Sequence, residues 1–93
     1  MSSKISTVGC VGTGVIGASW TALFLAYGLK VIVSDPGAGA EEKLAAHLKE
    51  FWPILEKLGL KSGASLSNYE FVGASMQGRY AECDFIQEAS SQQ

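Results

Sequence analysis

The sequence predicts an α/β fold: a parallel sheet of about four strands, in the order 3-2-1-4, with flanking helices. Three observations carry that prediction. Short β-branched runs end in glycine or in Asp35-Pro36-Gly37. Between them lie segments whose apolar residues recur with a helical period. The two kinds alternate as β-α-β-α-β-α-β, which implies parallel pairing through crossover connections.

Each element follows from local chemistry. Ile5 to Val11 is rich in Val, Ile and Thr and reads as a buried strand. From Val15 the period changes, and Ile16, Trp20, Leu23, Phe24 and Tyr27 share one face of a helix that Gly28 stops. Trp20 and Trp52 are expected to be core anchors. Lys30 to Ser34 is a second strand. Glu41 to Leu58 is a second helix, with Leu44, Leu48, Phe51, Leu55 and Leu58 on its apolar face and acidic Glu41 and Glu42 at its start, where the helix dipole favours them. Pro53 removes a backbone donor, so a kink or break is expected near Trp52. Gly59 to Gly63 is a loop, Tyr69 to Val72 a third strand, Gln77 to Cys83 a short helix, and Asp84 to Glu88 a fourth strand.

Length and charge exclude several functions. With 93 residues the chain is one small domain or part of one. Its net charge of −2 comes from 7 basic and 9 acidic residues without a basic stripe, which argues against nucleic acid and against a polybasic membrane anchor. No apolar run reaches the roughly 18 residues of a membrane span. The N-terminus is a poor signal peptide, so a cytoplasmic location is the expectation. Cys10 and Cys83 lie in apolar surroundings and are expected to be buried free thiols.

The chemistry concentrates in one loop. Gly12-Thr13-Gly14-Val15-Ile16-Gly17 is G-x-G-x-x-G, after a strand and opening a helix. Gly12 permits a tight turn, Gly14 lets a ligand approach the backbone, and Gly17 lets the helix pack closely on the strand. The amides near Val15 and Ile16 open the helix, where partial positive charge suits a pyrophosphate. Asp35 falls 18 residues after Gly17, at the end of the second strand. Alone it reads equally well as a turn residue before Pro36-Gly37. Joined to the glycines, it is the acid that accepts adenosine ribose hydroxyls in a dinucleotide-binding Rossmann domain. A carboxylate there repels a 2′-phosphate, and Pro36, Gly37, Ala38 and Gly39 supply no arginine to bind one, so the cofactor expected is NAD rather than NADP.

Other candidates are weaker. His47 has no histidine or cysteine partner near it and reads as a solvated helix residue. The charged residues of the second helix read as its solvated face. Ser19 has no base to activate it. Glu88 ends the fourth strand at the carboxyl edge, where ligands lie in such sheets, so a role near the cofactor is open. No catalytic residue and no metal site is assigned.

The stretch Gly12 to Trp20 (Gly-Thr-Gly-Val-Ile-Gly-Ala-Ser-Trp) resembles the NAD-binding part of the 3-hydroxyacyl-CoA dehydrogenase family, in the branch of carnitine 3-dehydrogenases and lambda-crystallin-type L-gulonate 3-dehydrogenases. Ala22 to Ala26, Val33 to Pro36, Phe51-Trp52-Pro53 and Phe85 to Glu88 agree with it. The resemblance implies that Val15 and Ile16 contact the pyrophosphate and Asp35 the adenosine ribose. It also implies oxidation of the 3-hydroxyl of a 3-hydroxy acid or acyl-CoA, with a histidine base oriented by a glutamate. Family members continue past the fourth strand through a Pro-Glu pair, where this chain has Ser91-Gln92. The expectation is therefore an incomplete Rossmann domain, residues 1–93, without substrate domain or catalytic histidine. Its fourth strand would be an open apolar edge that invites a second copy. The rival expectation is an inactive stand-alone or partner-completed nucleotide-binding module.

Overall fold

Val31, Ile32 and Val33 are each 0% exposed in the computed structural model, which describes residues 5–76 and 78–88. A strand buried on both faces belongs at the centre of a parallel sheet. These three residues form the middle of β2 (Lys30–Ser34), which pairs in parallel with β1 (Thr7–Val11). β1 in turn pairs with β4 (Phe85–Glu88), and β2 with the short β3 (Tyr69–Phe71), also in parallel. The order is β3-β2-β1-β4, as the sequence predicts. Two helices, α1 (Val15–Ala26) and α2 (Ala40–Leu58), connect β1 to β2 and β2 towards β3.

Alternation along the strands divides the core in two. Cys10, Val31 and Val33 point into one cluster with Ala18, Ala22 and Leu25 of α1 and Leu44 and Leu48 of α2. Phe51, Trp52, Tyr69 and Phe71 pack around it half-buried. On the other face Gly9 lies under Met76, Cys83 and Ile86, and a Cβ at Gly9 would come within 2.9 Å of all three. Asp84 closes the start of β1 against β4, its carboxylate accepting from the backbone of Ser6 (2.9 Å) and Thr7 (3.1 Å).

The structure corrects several expectations. The buried face of α1 is Gly17, Ala18, Thr21, Ala22, Leu25 and Ala26, whereas Ile16, Trp20, Leu23 and Tyr27 face outward and Phe24 is half-buried. This helix is apolar on nearly all sides, so large and small residues both recur with a helical period. Close packing on the sheet selects the small stripe. Trp20 is thus no core anchor: it is 38% exposed and stacks on Phe24, with ring centroids 5.6 Å apart. On α2 the expected face holds at Leu44 and Leu48, but Leu58 is exposed.

Pro53 does not break α2, which runs unbroken through it. Both Pro53 and Lys49 are exposed, so the Lys49 carbonyl that loses its helical partner can bond to water. The Gln77-to-Cys83 segment forms a 3₁₀ turn at Arg79–Glu82 rather than an α-helix, and Gln77 lies outside the described residues. Arg79 there pairs with both Glu70 and Glu82. Both cysteines are free thiols, but Cys83 is only half-buried while Cys10 is fully buried. Among the described residues no helix is long and apolar enough to cross a membrane.

Candidate functional site

The loop leaving β1 is shaped by contacts that a side chain would forbid. Gly12 is buried at φ 113°, a backbone conformation that glycine adopts freely, and its N–H donates to the Ser34 carbonyl at 2.8 Å. That bond ties the loop to the end of β2. A Cβ at Gly17 would sit 2.1 Å from the Gly12 carbonyl oxygen, so only glycine lets α1 seat against the loop. Gly14 faces the other way: a Cβ there would meet nothing within 4 Å, and the backbone is open to solvent.

α1 begins at Gly14 without a side-chain cap and without an acid in its first turn. Its first intrahelical bond runs from Ala18 N to the Gly14 carbonyl at 2.8 Å. Earlier amides in the turn have no helical acceptor, and the helix dipole concentrates partial positive charge there. Val15 and Ile16 are 60% and 66% exposed beside those amides. An anion arriving at this end would find donors on the backbone and no competing charge on the helix.

Asp35 stands next to the loop. Its Oδ2 accepts from Thr13 N at 2.7 Å and from Thr13 Oγ1 at 2.9 Å, and its Oδ1 accepts from Gly37 N at 2.8 Å. Partial burial works against its charge. The hydrogen bonds from Gly37 and Thr13, with the positive charge of Lys43, outweigh that and hold the carboxyl below its usual range. The acid is therefore ionised at neutral pH. Beside it an open depression is lined by Asp35, Glu41 and Glu42 together with Gly37, Phe71 and Gly73. Three carboxylates there disfavour a further phosphate.

The residues singled out in the sequence thus fall into one place. Gly12, Gly14, Val15, Ile16 and Gly17 form the loop and first turn, and Asp35 bonds directly to that loop. Glu88 ends β4 level with Val11 of β1, at the same carboxyl edge of the sheet. His47 is elsewhere, half-buried in mid-α2 with its ring stacked on Phe51 at 6.0 Å. Ser19 donates to the Val15 carbonyl at 2.8 Å. Burial pushes the Cys10 and Cys83 thiols up, which makes both poor nucleophiles. Among the described residues no group of three His, Cys, Asp or Glu side chains could hold a metal. Sequence reasoning missed Thr13: it occupies a position that the glycine signature leaves free, and its partner lies 22 residues away.

A glycine loop between a parallel strand and a helix, with an acid at the end of the next strand, defines a dinucleotide-binding α/β domain. Residues 7–93 match the family described as 3-hydroxyacyl-CoA dehydrogenase, NAD binding domain, and the chain belongs to that family. NAD is accordingly its cofactor. The chain is 43% identical over 88 residues to an L-carnitine dehydrogenase of Pseudomonas putida, covering 95% of this chain and 27% of that protein. It is 42% identical over 86 residues to an L-carnitine dehydrogenase of Nocardiopsis dassonvillei, covering 92% and 26%. With a 3-hydroxyacyl-CoA dehydrogenase of Gibberella moniliformis the identity is 48% over 88 residues, covering 95% and 27%. The chain thus spans about a quarter of the length of the curated relatives it matches.

Proposed function

We propose that this chain, as a single domain, binds NAD with the pyrophosphate at the start of α1 and the adenosine ribose at Asp35. The contacts would come from the backbone of Gly14, Val15 and Ile16 and from the Asp35 carboxylate, on a loop whose shape Gly12 and Gly17 set. The observation that carries this reading is the uncapped, acid-free start of α1 next to a carboxylate kept ionised by three hydrogen bonds. The same carboxylate, with Glu41 and Glu42 near it, favours NAD over NADP.

The larger reaction is read from the relatives. The domain would serve an oxidoreductase that oxidises the 3-hydroxyl of a 3-hydroxy acid or acyl-CoA, with NAD accepting the hydride. The residues in hand supply binding and orientation. His47, the chain's single histidine, is stacked on Phe51 in mid-α2, away from the glycine loop, and is not proposed as the base for the hydroxyl proton.

Calorimetric titration with NAD, and with NADP as control, tests the site. Binding of NAD that disappears in Gly14→Val and in Asp35→Ala, with both variants still folded, supports it. A folded chain that ignores NAD refutes it. A second reading, an inactive nucleotide-binding module whose sheet is extended at β4 by more chain or a second copy, is favoured by the exposure of Phe85 (43%) and Ile86 (37%). Sedimentation distinguishes a monomer from a concentration-dependent dimer.

A further inference from the structure

We infer that Thr13 is a positioning residue, which fixes the Asp35 carboxylate for the ribose and thereby sets the preference for NAD over NADP. The inference rests on the site proposed above. Thr13 is 3% exposed, so its side chain is not itself a surface contact. Both of its donors, the backbone N–H and the hydroxyl, go to the same oxygen, Oδ2 of Asp35, at 2.7 and 2.9 Å. Gly37 N holds the other oxygen, Oδ1, at 2.8 Å. A carboxylate offers about four acceptor positions. Three are filled by the protein, two of them on Oδ2. The plane of the group is thus fixed, and the position left over lies on Oδ1. A ribose hydroxyl can donate to Oδ1 without breaking any bond within the protein.

The arrangement also divides labour along the loop. The Thr13 amide is committed to Asp35, so amides available to a pyrophosphate begin at Gly14. One residue therefore links the phosphate end of the site to its ribose end. Without the hydroxyl, Oδ2 keeps the Thr13 amide and Oδ1 the Gly37 amide, so two bonds instead of three hold the carboxylate and it is less firmly oriented. A less firmly oriented carboxylate binds ribose less well and repels a 2′-phosphate less effectively.

The test compares Thr13→Val, which removes the hydroxyl at nearly constant volume, with Thr13→Ser, which keeps it. Dissociation constants for NAD and NADP are measured by calorimetry on the full chain, with thermal midpoints alongside. Expected for Thr13→Val is NAD binding weakened by about tenfold, with the NAD-to-NADP preference reduced by a similar factor. Thr13→Ser should stay within about twofold of the parent. In an Asp35→Asn background, Thr13→Val should cost no further NAD affinity, because Thr13 acts through the acid. Should Thr13→Val fail to fold, Thr13→Ala removes the same hydroxyl. A folded hydroxyl-free variant with unchanged preference overturns the Thr13 assignment and leaves the site standing. A parent chain that binds no NAD overturns the site itself.

Discussion

α1 and α2 both leave a glycine at the carboxyl end of the sheet, Gly14 after β1 and Gly39 after β2, and neither start has a side-chain cap. The first turn of α2 carries Glu41 and Glu42. Each carboxylate there contributes roughly 0.3–1 kcal/mol against the helix dipole. The first turn of α1 carries Val15 and Ile16, exposed and uncharged. One helix brings its own anions, and the other leaves its positive end for something else. Asp35 stands between them, bonded to Thr13 before α1 and to Gly37 before α2. A helix start that the fold leaves unsatisfied, next to one that it satisfies, is where a ligand is to be sought.

The largest effect should come from breaking the seat of α1. Gly17→Val drives a side chain into the Gly12 carbonyl, a backbone atom that cannot step aside. A loss of about 3 kcal/mol or more in urea unfolding is expected, enough to unfold a small domain. An unchanged unfolding midpoint would show that α1 does not need this close contact. A smaller and more selective effect should follow from giving α1 the acid that α2 has. Ile16→Glu should weaken NAD binding by about tenfold or more while leaving thermal stability equal or up to roughly 0.5 kcal/mol higher. Undiminished NAD affinity in that variant would remove the start of α1 as the anion site.

The smallest effect concerns the acid between the helices. The folded-state pKa of Asp35 lies below its unfolded value, so its contribution is complete above the unfolded value near 4 and is lost as pH falls through the folded one. Asp84, held by the Ser6 and Thr7 amides, follows the same sign. The thermal midpoint should therefore stay level above about pH 5 and fall below about pH 4. Asp35→Asn should be less stable at neutral pH and fall less steeply in acid. Equal acid slopes for parent and variant would mean that Asp35 does not tie the two helix starts together.

What was legible in the sequence is what depends on neighbours along the chain. Gly12, Gly14 and Gly17 announce the loop by spacing, and the β-branched run Val31-Ile32-Val33 announces a strand. Parallel pairing followed from alternation of strands and helices, and the strand order from the Rossmann arrangement that the glycine loop signals. What stayed illegible depends on residues far apart meeting. The buried side of α1 is decided by how closely Gly17 approaches Gly12, and periodicity cannot weigh that against the larger Ile16, Trp20 and Leu23. The persistence of α2 through Pro53 depends on which side of the helix meets water. Thr13 carries no pattern, since its role exists only once β2 has brought Asp35 alongside the loop.

The pairing of β1 with β4 has a mechanical consequence. These strands lie near the two ends of the described chain, run parallel and sit side by side. Tension applied through residues 5 and 88 would pull the start of β1 and the finish of β4 in opposite directions along the strand axis. The load would fall on the whole ladder in shear, and on the Asp84 bonds to Ser6 and Thr7 with it, instead of opening one bond after another like a zip. Stretched between handles at those two points, the domain should yield late and all at once.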